Sequence, residues 1–400
     1  MLTLRPRSAR TLTLPTGDRE SSWTNLISTR SRSIGSVSRP PVWIWVPALV
    51  IAALSLVPIG YLFARAFLAG DVAWELLFRA KTASVVVNSL TLALAVALST
   101  VLIAMPLAWL TSRTDLPWRG FWSVAAALPL VVPSYIGAVV TVAVFGPRGS
   151  AQALLAPLGI ERLPSLYGFT GAWIVLTLFT YPYVYLTVRS ALRGLDPSLE
   201  DAARCLGYGP WRTFFAVTLP QLRPAAAAGG LLTALYALGD FGVPTLLRYD
   251  AFTRAIYVQY KSALDRGAAA MLALLLVVLS IVVLAIETRA RGNASLHRLG
   301  SGVNRRPRIV RLGRGRYPAL LFCATIVGLA LVLPVGVLLF WLVRSLTADG
   351  EFSGLAVATA HSVTLGVSTA LVATLAALPI AILAVTAINP RVALSIAGFQ

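Results

Sequence analysis

One carboxylate stands by itself inside an apolar run. Asp240 lies within Ala225–Leu247, where no other residue is charged. An ionisable group in a run of membrane length is costly to bury, so it marks either a solute path or a hydrogen bond between helices. Both remain open for Asp240. Its neighbours Gly239, Gly242 and Pro244 would let a helix loosen and turn carbonyls toward a pore, so Gly239, Asp240 and Gly242 form the candidate translocation path. A Walker-type phosphate loop needs Gly-Lys before Ser or Thr. The two lysines, Lys81 and Lys261, follow Ala80 and Tyr260 instead. Any ATP must therefore be hydrolysed by another chain, and this one is not expected to be an enzyme. Cys205 and Cys323 form no CxxC, and His297 and His361 have no carboxylate or cysteine at ligand spacing. No catalytic residue, metal site, cofactor or disulfide framework is predicted. The run Tyr181-Pro182-Tyr183-x-Tyr185 reads as interfacial packing, with a ligand cage as the alternative.

The elements that must position these residues follow from composition. The 400 residues are 57% hydrophobic and 12% charged, with a mean hydropathy of +0.78. That is too few charges to cover a soluble protein of this size, so the chain is read as an all-α polytopic membrane protein. Eight stretches reach the roughly 20 apolar residues a bilayer demands: Val42–Ala64, Ala83–Leu110, Phe121–Phe145, Phe169–Val188, Ala225–Leu247, Ala268–Ile286, Pro318–Val343 and Ser362–Ile388. A span in lipid must satisfy its own backbone, which requires helices.

With the N-terminus inside, 24 of the 34 basic residues fall in inside segments and 10 outside. Basic residues are retained in the cytoplasm, so the N-terminus is predicted to be cytoplasmic. The net charge of +19 is then mostly topology. Arg289–Arg316 holds nine arginines and no acid, which suits anionic lipid headgroups rather than nucleic acid. Residues 1–41 carry no apolar periodicity and read as a disordered basic tail.

The chain also repeats itself. Residues 88–106 and 361–379 share eight of nineteen positions at an offset of 273, among them Pro106 and Pro379. Val57-Pro58-Ile59-Gly60 is echoed by Leu333-Pro334-Val335-Gly336. Six spans separate the copies, so they run the same way, as in a parallel repeat. The expected plan is a first permease-like half over 42–288, a basic linker over 289–317, and two spans of a second half over 318–400.

The loop between spans four and five, 196–223, is not a polar tether. Asp196-Pro197 is a good helix start. Leu199, Ala202, Ala203 and Leu206 fall on one helical face. Gly207 suits a left-handed helix end, and Trp211–Thr218 suits a second short helix stopping before Pro220. The expected product is a compact, partly apolar knob outside the membrane.

Asp201-Ala202-Ala203, Gly207 and Val217-x-Leu219-Pro220 resemble the EAA loop of permease subunits of ABC importers, with Asp201 for the usual Glu and Val217 for the usual Ile. The resemblance implies that Asp201, Ala202, Ala203, Gly207, Val217, Leu219 and Pro220 couple the chain to ABC ATPase subunits, and that an extracytoplasmic substrate-binding protein delivers the solute. It also implies residence in the bacterial inner membrane. Six spans per half, two like-oriented halves and Gly239-Asp240-Phe241-Gly242 are most similar to the fused ferric iron permeases. Thiamine, polyamine and phosphonate permeases share the plan, and an ion-coupled secondary transporter is the reading from another class. The second EAA loop of such permeases would lie beyond Gln400.

Overall fold

The computed structural model describes residues 42–388 except 69, 71–74, 76, 148, 160–163, 196, 262–265, 292–308 and 348–352. The tail 1–41, most of the basic linker, His297 and Asp196, the expected helix cap, lie outside the described residues. Among the described residues the chain is helical, and its one extended pairing is an isolated bridge between Thr114 and Val310.

Two compact units are present, Pro58–Glu351 and a second made of the chain up to Val57 and from Phe352. In chain order the helices are α1 (Val42–Leu68), α2 (Ala80–Arg113), α3 (Arg119–Ala125), α4 (Ser134–Phe145), α5 (Ser150–Leu155) and α6 (Phe169–Gly194). There follow α7 (Pro197–Cys205), α8 (Pro210–Thr213), α9 (Leu219–Gly239), α10 (Gly242–Leu246), α11 (Phe252–Lys261) and α12 (Arg266–Arg291). The last are α13 (Arg316–Val327), α14 (Leu333–Thr347) and α15 (Ser353–Ile388). Pro106 sits inside α2 and Pro379 inside α15, so the repeated proline falls within a long helix both times.

Among the described residues, six helical stretches are long and apolar enough to cross a bilayer, and the pair Arg119–Val131 and Ser134–Gln152, bent by 94°, would make a seventh. Eight unbroken spans were expected, and two of them differ. The third breaks because Pro133 has no N–H to give and forces Val132 into an extended conformation (φ −85°, ψ 117°). The fifth starts earlier, at Leu219, and stops at Asp240 (φ −69°, ψ 124°) before α10 resumes. It carries Arg223 and Pro224 near its start, and it is packed between α2 and α6, where small residues serve better than bulky apolar ones.

That packing is the heart of the larger unit. Lipid tails are as apolar as leucine, so helices in a bilayer associate through close fit and interhelical hydrogen bonds. Gly229 and Gly230 supply the fit on α9. A Cβ on Gly229 would come within 2.6 Å of Thr187 Oγ1 and 2.9 Å of Val184 Cα on α6, and one on Gly230 within 3.2 Å of Val101 Cγ2 on α2. Thr100 of α2 meets Thr233 of α9 at 3.1 Å in a buried hydroxyl pair, and Trp173 Nε1 of α6 donates to Ser99 Oγ of α2 at 2.8 Å. Tyr181 and Tyr185 lie fully buried in this core rather than at an interface.

Candidate functional site: a helical knob and two interrupted helices

The knob begins with α7. Its C-terminus closes as a Schellman turn: Gly207 is left-handed (φ +84°), its N–H bonds Arg204 O at 2.9 Å, and Tyr208 N–H bonds Ala203 O at 3.1 Å. Glycine pays no Cβ penalty at that φ, as the sequence suggested.

The second arm differs from expectation. Helix α8 does not stop before Pro220. It continues through a π-helical turn, Phe214–Thr218, straight into α9. Pro220 explains the wide turn: it lacks the N–H that an α-helix needs, and its ring would crowd the carbonyl of residue 216, so the helix widens there.

One face of the knob turns outward. Asp201, Ala202 and Gly207 are exposed, and Leu206, Trp211 and Phe215 are 78%, 62% and 59% exposed. Leu199 is exposed as well, but Ala203, one turn further on, is buried. Val217, Leu219 and Pro220 are half-buried where the knob rejoins α9. Trp109, near the end of α2, supports the outward Trp211 and the half-buried Phe214, with ring centroids 5.7 Å and 5.5 Å away.

Two residues that the sequence did not single out fix the knob in place. Glu200 Oε1 accepts from Thr218 Oγ1 at 3.0 Å, closing α7 onto the π-turn. Its Oε2 lies 3.8 Å from Arg113 Nη1. Arg113, buried at the end of α2, also donates from Nη2 to Leu192 O of α6 at 2.7 Å. In the sequence Glu200 carried no assigned role, and Arg113 counted only as a topological charge. Nothing in their spacing paired them.

The second part of the site is the meeting of the two broken helices. Ser134, first residue of α4, donates to Asp240 Oδ2 at 2.5 Å. Asp240 Oδ1 caps α10 by accepting Val243 N–H at 2.8 Å. Thr253 Oγ1 donates to Asp240 O at 2.7 Å, and Tyr236 OH to Ser134 Oγ at 3.2 Å. Tyr183 leans on Tyr236 with centroids 5.8 Å apart. Of the two readings open for Asp240, the interhelical hydrogen bond is present. Gly242 allows the approach, since a Cβ there would lie 3.0 Å from Tyr135 Cβ. Gly239 is exposed with open space around it.

Past α10 the loop oxygens are engaged. Tyr249 OH donates to Asn88 O at 2.9 Å, Asn88 Nδ2 donates to Asp250 O at 3.2 Å, and Ser89 Oγ accepts Phe252 N–H at 3.0 Å. Asp250 is paired with Arg254. Burial pushes the Tyr249 phenol pKa up, and Asp250 adds to the shift.

Long helices that satisfy their own backbones, packed through glycine and threonine, make this an integral, multi-pass membrane protein. It belongs to the family of binding-protein-dependent transport system inner membrane components, which matches residues 100–290. The match takes in the knob and both helix breaks. The chain is 30% identical over 346 residues to a ferric-iron transport system permease protein of Haemophilus influenzae, covering 86% of this chain and 65% of that one. It is 34% identical over 254 residues to a probable molybdenum ABC transporter permease protein of Haloferax volcanii, covering 62% and 89%. It is 31% identical over 191 residues to a sulfate transport system permease protein of Synechocystis, covering 46% and 68%. The chain thus spans 65% of the length of its Haemophilus relative.

Proposed function

We propose that this chain forms the translocation path of a binding-protein-dependent ABC importer in a bacterial inner membrane, driven by separate ATPase subunits. The observation that carries the reading is the knob's outward face. Leu206, Trp211 and Phe215 are exposed on a frame held by a Schellman turn and the Glu200–Thr218 bond. An exposed apolar patch with a polar surround and a rigid base suits docking of a partner protein. In this reading Asp201 orients the docked knob by a charged contact. Ala202 and Gly207 give close fit from outside, Ala203 does so from within, and Val217, Leu219 and Pro220 return the movement to α9.

In the mechanism, a binding protein delivers solute to the outer loops, where Arg248, Arg254 and Arg266 offer a basic docking surface. ATP binding draws the ATPases together, the knobs move with them, and the helices exchange outward for inward access. The charge bias supports a cytoplasmic N-terminus, and the basic 289–317 segment, between a first half over 42–288 and a second starting at 318, suits contact with membrane lipids.

Ferric iron is the proposed solute, supported by the long match to an iron permease. Molybdenum and sulfate permeases are also relatives, so oxyanions join thiamine, polyamines and phosphonates as competitors. In this reading the metal travels in the binding protein, and Asp240 modulates passage without forming a tight site. An ion-coupled transporter fits less well, because it would place several ionisable groups mid-membrane where this chain places Asp240.

The test is uptake into cells expressing the chain with a candidate ABC ATPase and a candidate binding protein. Labelled ferric iron is compared with molybdate, sulfate, thiamine, a polyamine and a phosphonate. ATPase-dependent uptake of iron supports the whole proposal. Uptake of another solute ends the iron assignment, and uptake independent of the ATPase ends the importer reading.

A further inference from the structure

Arg113 holds two things at once. Its side chain grips the knob through Glu200 and the end of α6 through Leu192 O. Its backbone grips the linker: Val310 N–H donates to Arg113 O at 2.8 Å, and Asp115 N–H donates to Val310 O at 3.2 Å. Two residues on, Leu312 N–H donates to Asp115 Oδ1 at 2.7 Å. Residues 310–312 lead directly into α13, whose Ala319, Cys323 and Val327 enter the core occupied by Tyr181, Tyr185 and Leu192. A buried guanidinium demands charged or polar partners, yet Arg113 Nη1 has no hydrogen bond and stands in ion-pair range of Glu200. The pair therefore has room to close when the knob shifts.

From this arrangement we propose that Arg113 and Asp115 are positioning residues of the coupling apparatus. Arg113 takes up the knob's displacement through Glu200, and the 113–115 segment passes it to the linker and to α13. One ATPase contact would thus drive both the first half and the entry to the second. The proposal rests on the reading of the knob as the ATPase dock.

The experiment centres on Asp115, which is exposed and touches neither the knob's outer face nor the path. The transporter, reconstituted with its ATPase, is assayed for basal ATP hydrolysis and for solute moved per ATP. Asp115→Ala removes the acceptor for Leu312 N–H, while Asp115→Asn keeps an oxygen there. The expected result is a drop of about fivefold in solute per ATP for Asp115→Ala, the order one hydrogen bond supplies. Basal hydrolysis is unchanged, and Asp115→Asn restores the yield. Glu200→Gln keeps an acceptor for Thr218 but abolishes the ion pair, and it lowers the yield likewise.

A second readout needs no ATPase. Spin labels are placed on the exposed native Cys205 and on Ile309→Cys, with Cys323 buried and unlabelled. In Asp115→Ala the distance distribution between them broadens. If Asp115→Ala keeps the parent's yield, if Asp115→Asn fails as Asp115→Ala does, or if the label distribution is unmoved, the proposal is overturned and the importer reading stands. Failure of the parent chain to bind any ATPase would instead overturn the importer reading on which the proposal rests.

Discussion

Ser134 and Asp240 join two interrupted helices at the point where each is interrupted. The serine opens α4 just after Pro133, the aspartate closes α9 just before α10, and their side chains meet at 2.5 Å. Helix ends leave backbone groups without partners. Here one carboxylate bonds the Ser134 hydroxyl at the start of α4 with one oxygen and satisfies the backbone Val243 N–H in the first turn of α10 with the other.

The pair makes structure and charge separable. Asp240→Asn keeps an acceptor for Val243 but turns a donor toward Ser134, so its thermal midpoint in detergent should fall less than that of Asp240→Ala. Asp240→Ala loses both bonds and should cost about 1–3 kcal/mol. If Asp240 modulates passage, Asp240→Asn lowers uptake in spite of its stability. Parent-level uptake by a stable Asp240→Asn protein would remove the charge from the path.

Gly207→Leu should place a side chain at φ +84°, costing about 1 kcal/mol in backbone conformation, and should project bulk from the docking face. Membrane insertion should be normal, with loss of ATPase co-purification or of ATP-driven uptake. A mutant that inserts, binds the ATPase and transports like the parent would show the docking face to be elsewhere.

Trp211→Ser and Leu206→Asp alter side chains that are mostly exposed, so stability should shift by no more than about 0.5 kcal/mol. Binding of the ATPase should weaken by tenfold or more, since central aromatic anchors dominate interfaces at about 2 kcal/mol or above. The measurement is ATPase retention on the immobilised chain across a dilution series.

Gly229→Ala tests the close packing of α9 on α6. The added methyl would meet Thr187 Oγ1 and Val184 Cα at distances no Cβ tolerates, so the helices must part, at about 1–3 kcal/mol. Gly239→Ala, with nothing near its Cβ, is the control and should be close to neutral. Equal midpoints for the two variants would contradict this packing.

Run length and charge asymmetry made the long helices legible, because the bilayer imposes both on the chain. Gly207 was legible because local chemistry alone decides a left-handed helix end. The break at Pro133 was hidden by an apolar run that continues across it, and counting apolar residues ignores a missing N–H. Pro220 read as a helix stop, although a widened turn accommodates it without ending the helix. Arg113 was accounted for as an inside basic residue and Glu200 stood out in no motif, so nothing in the sequence asked for a partner. Their meeting depends on how α2, α6 and the knob pack, which no window along the chain contains.

The π-turn at Phe214–Thr218 also sets an angle. A π-turn holds one residue more than the α-helical path it replaces, and each helical residue turns the chain by about 100°. The azimuth of Trp211 about the α9 axis is therefore set by one surplus residue, as the phase of a screw is set by a shim. Gly229 and Gly230 fix where α9 faces within the membrane, and the surplus residue fixes where the knob faces beyond it. Deleting Ala216 would leave every docking residue present and every packed helix intact, yet aim the knob about a quarter-turn away from its partner.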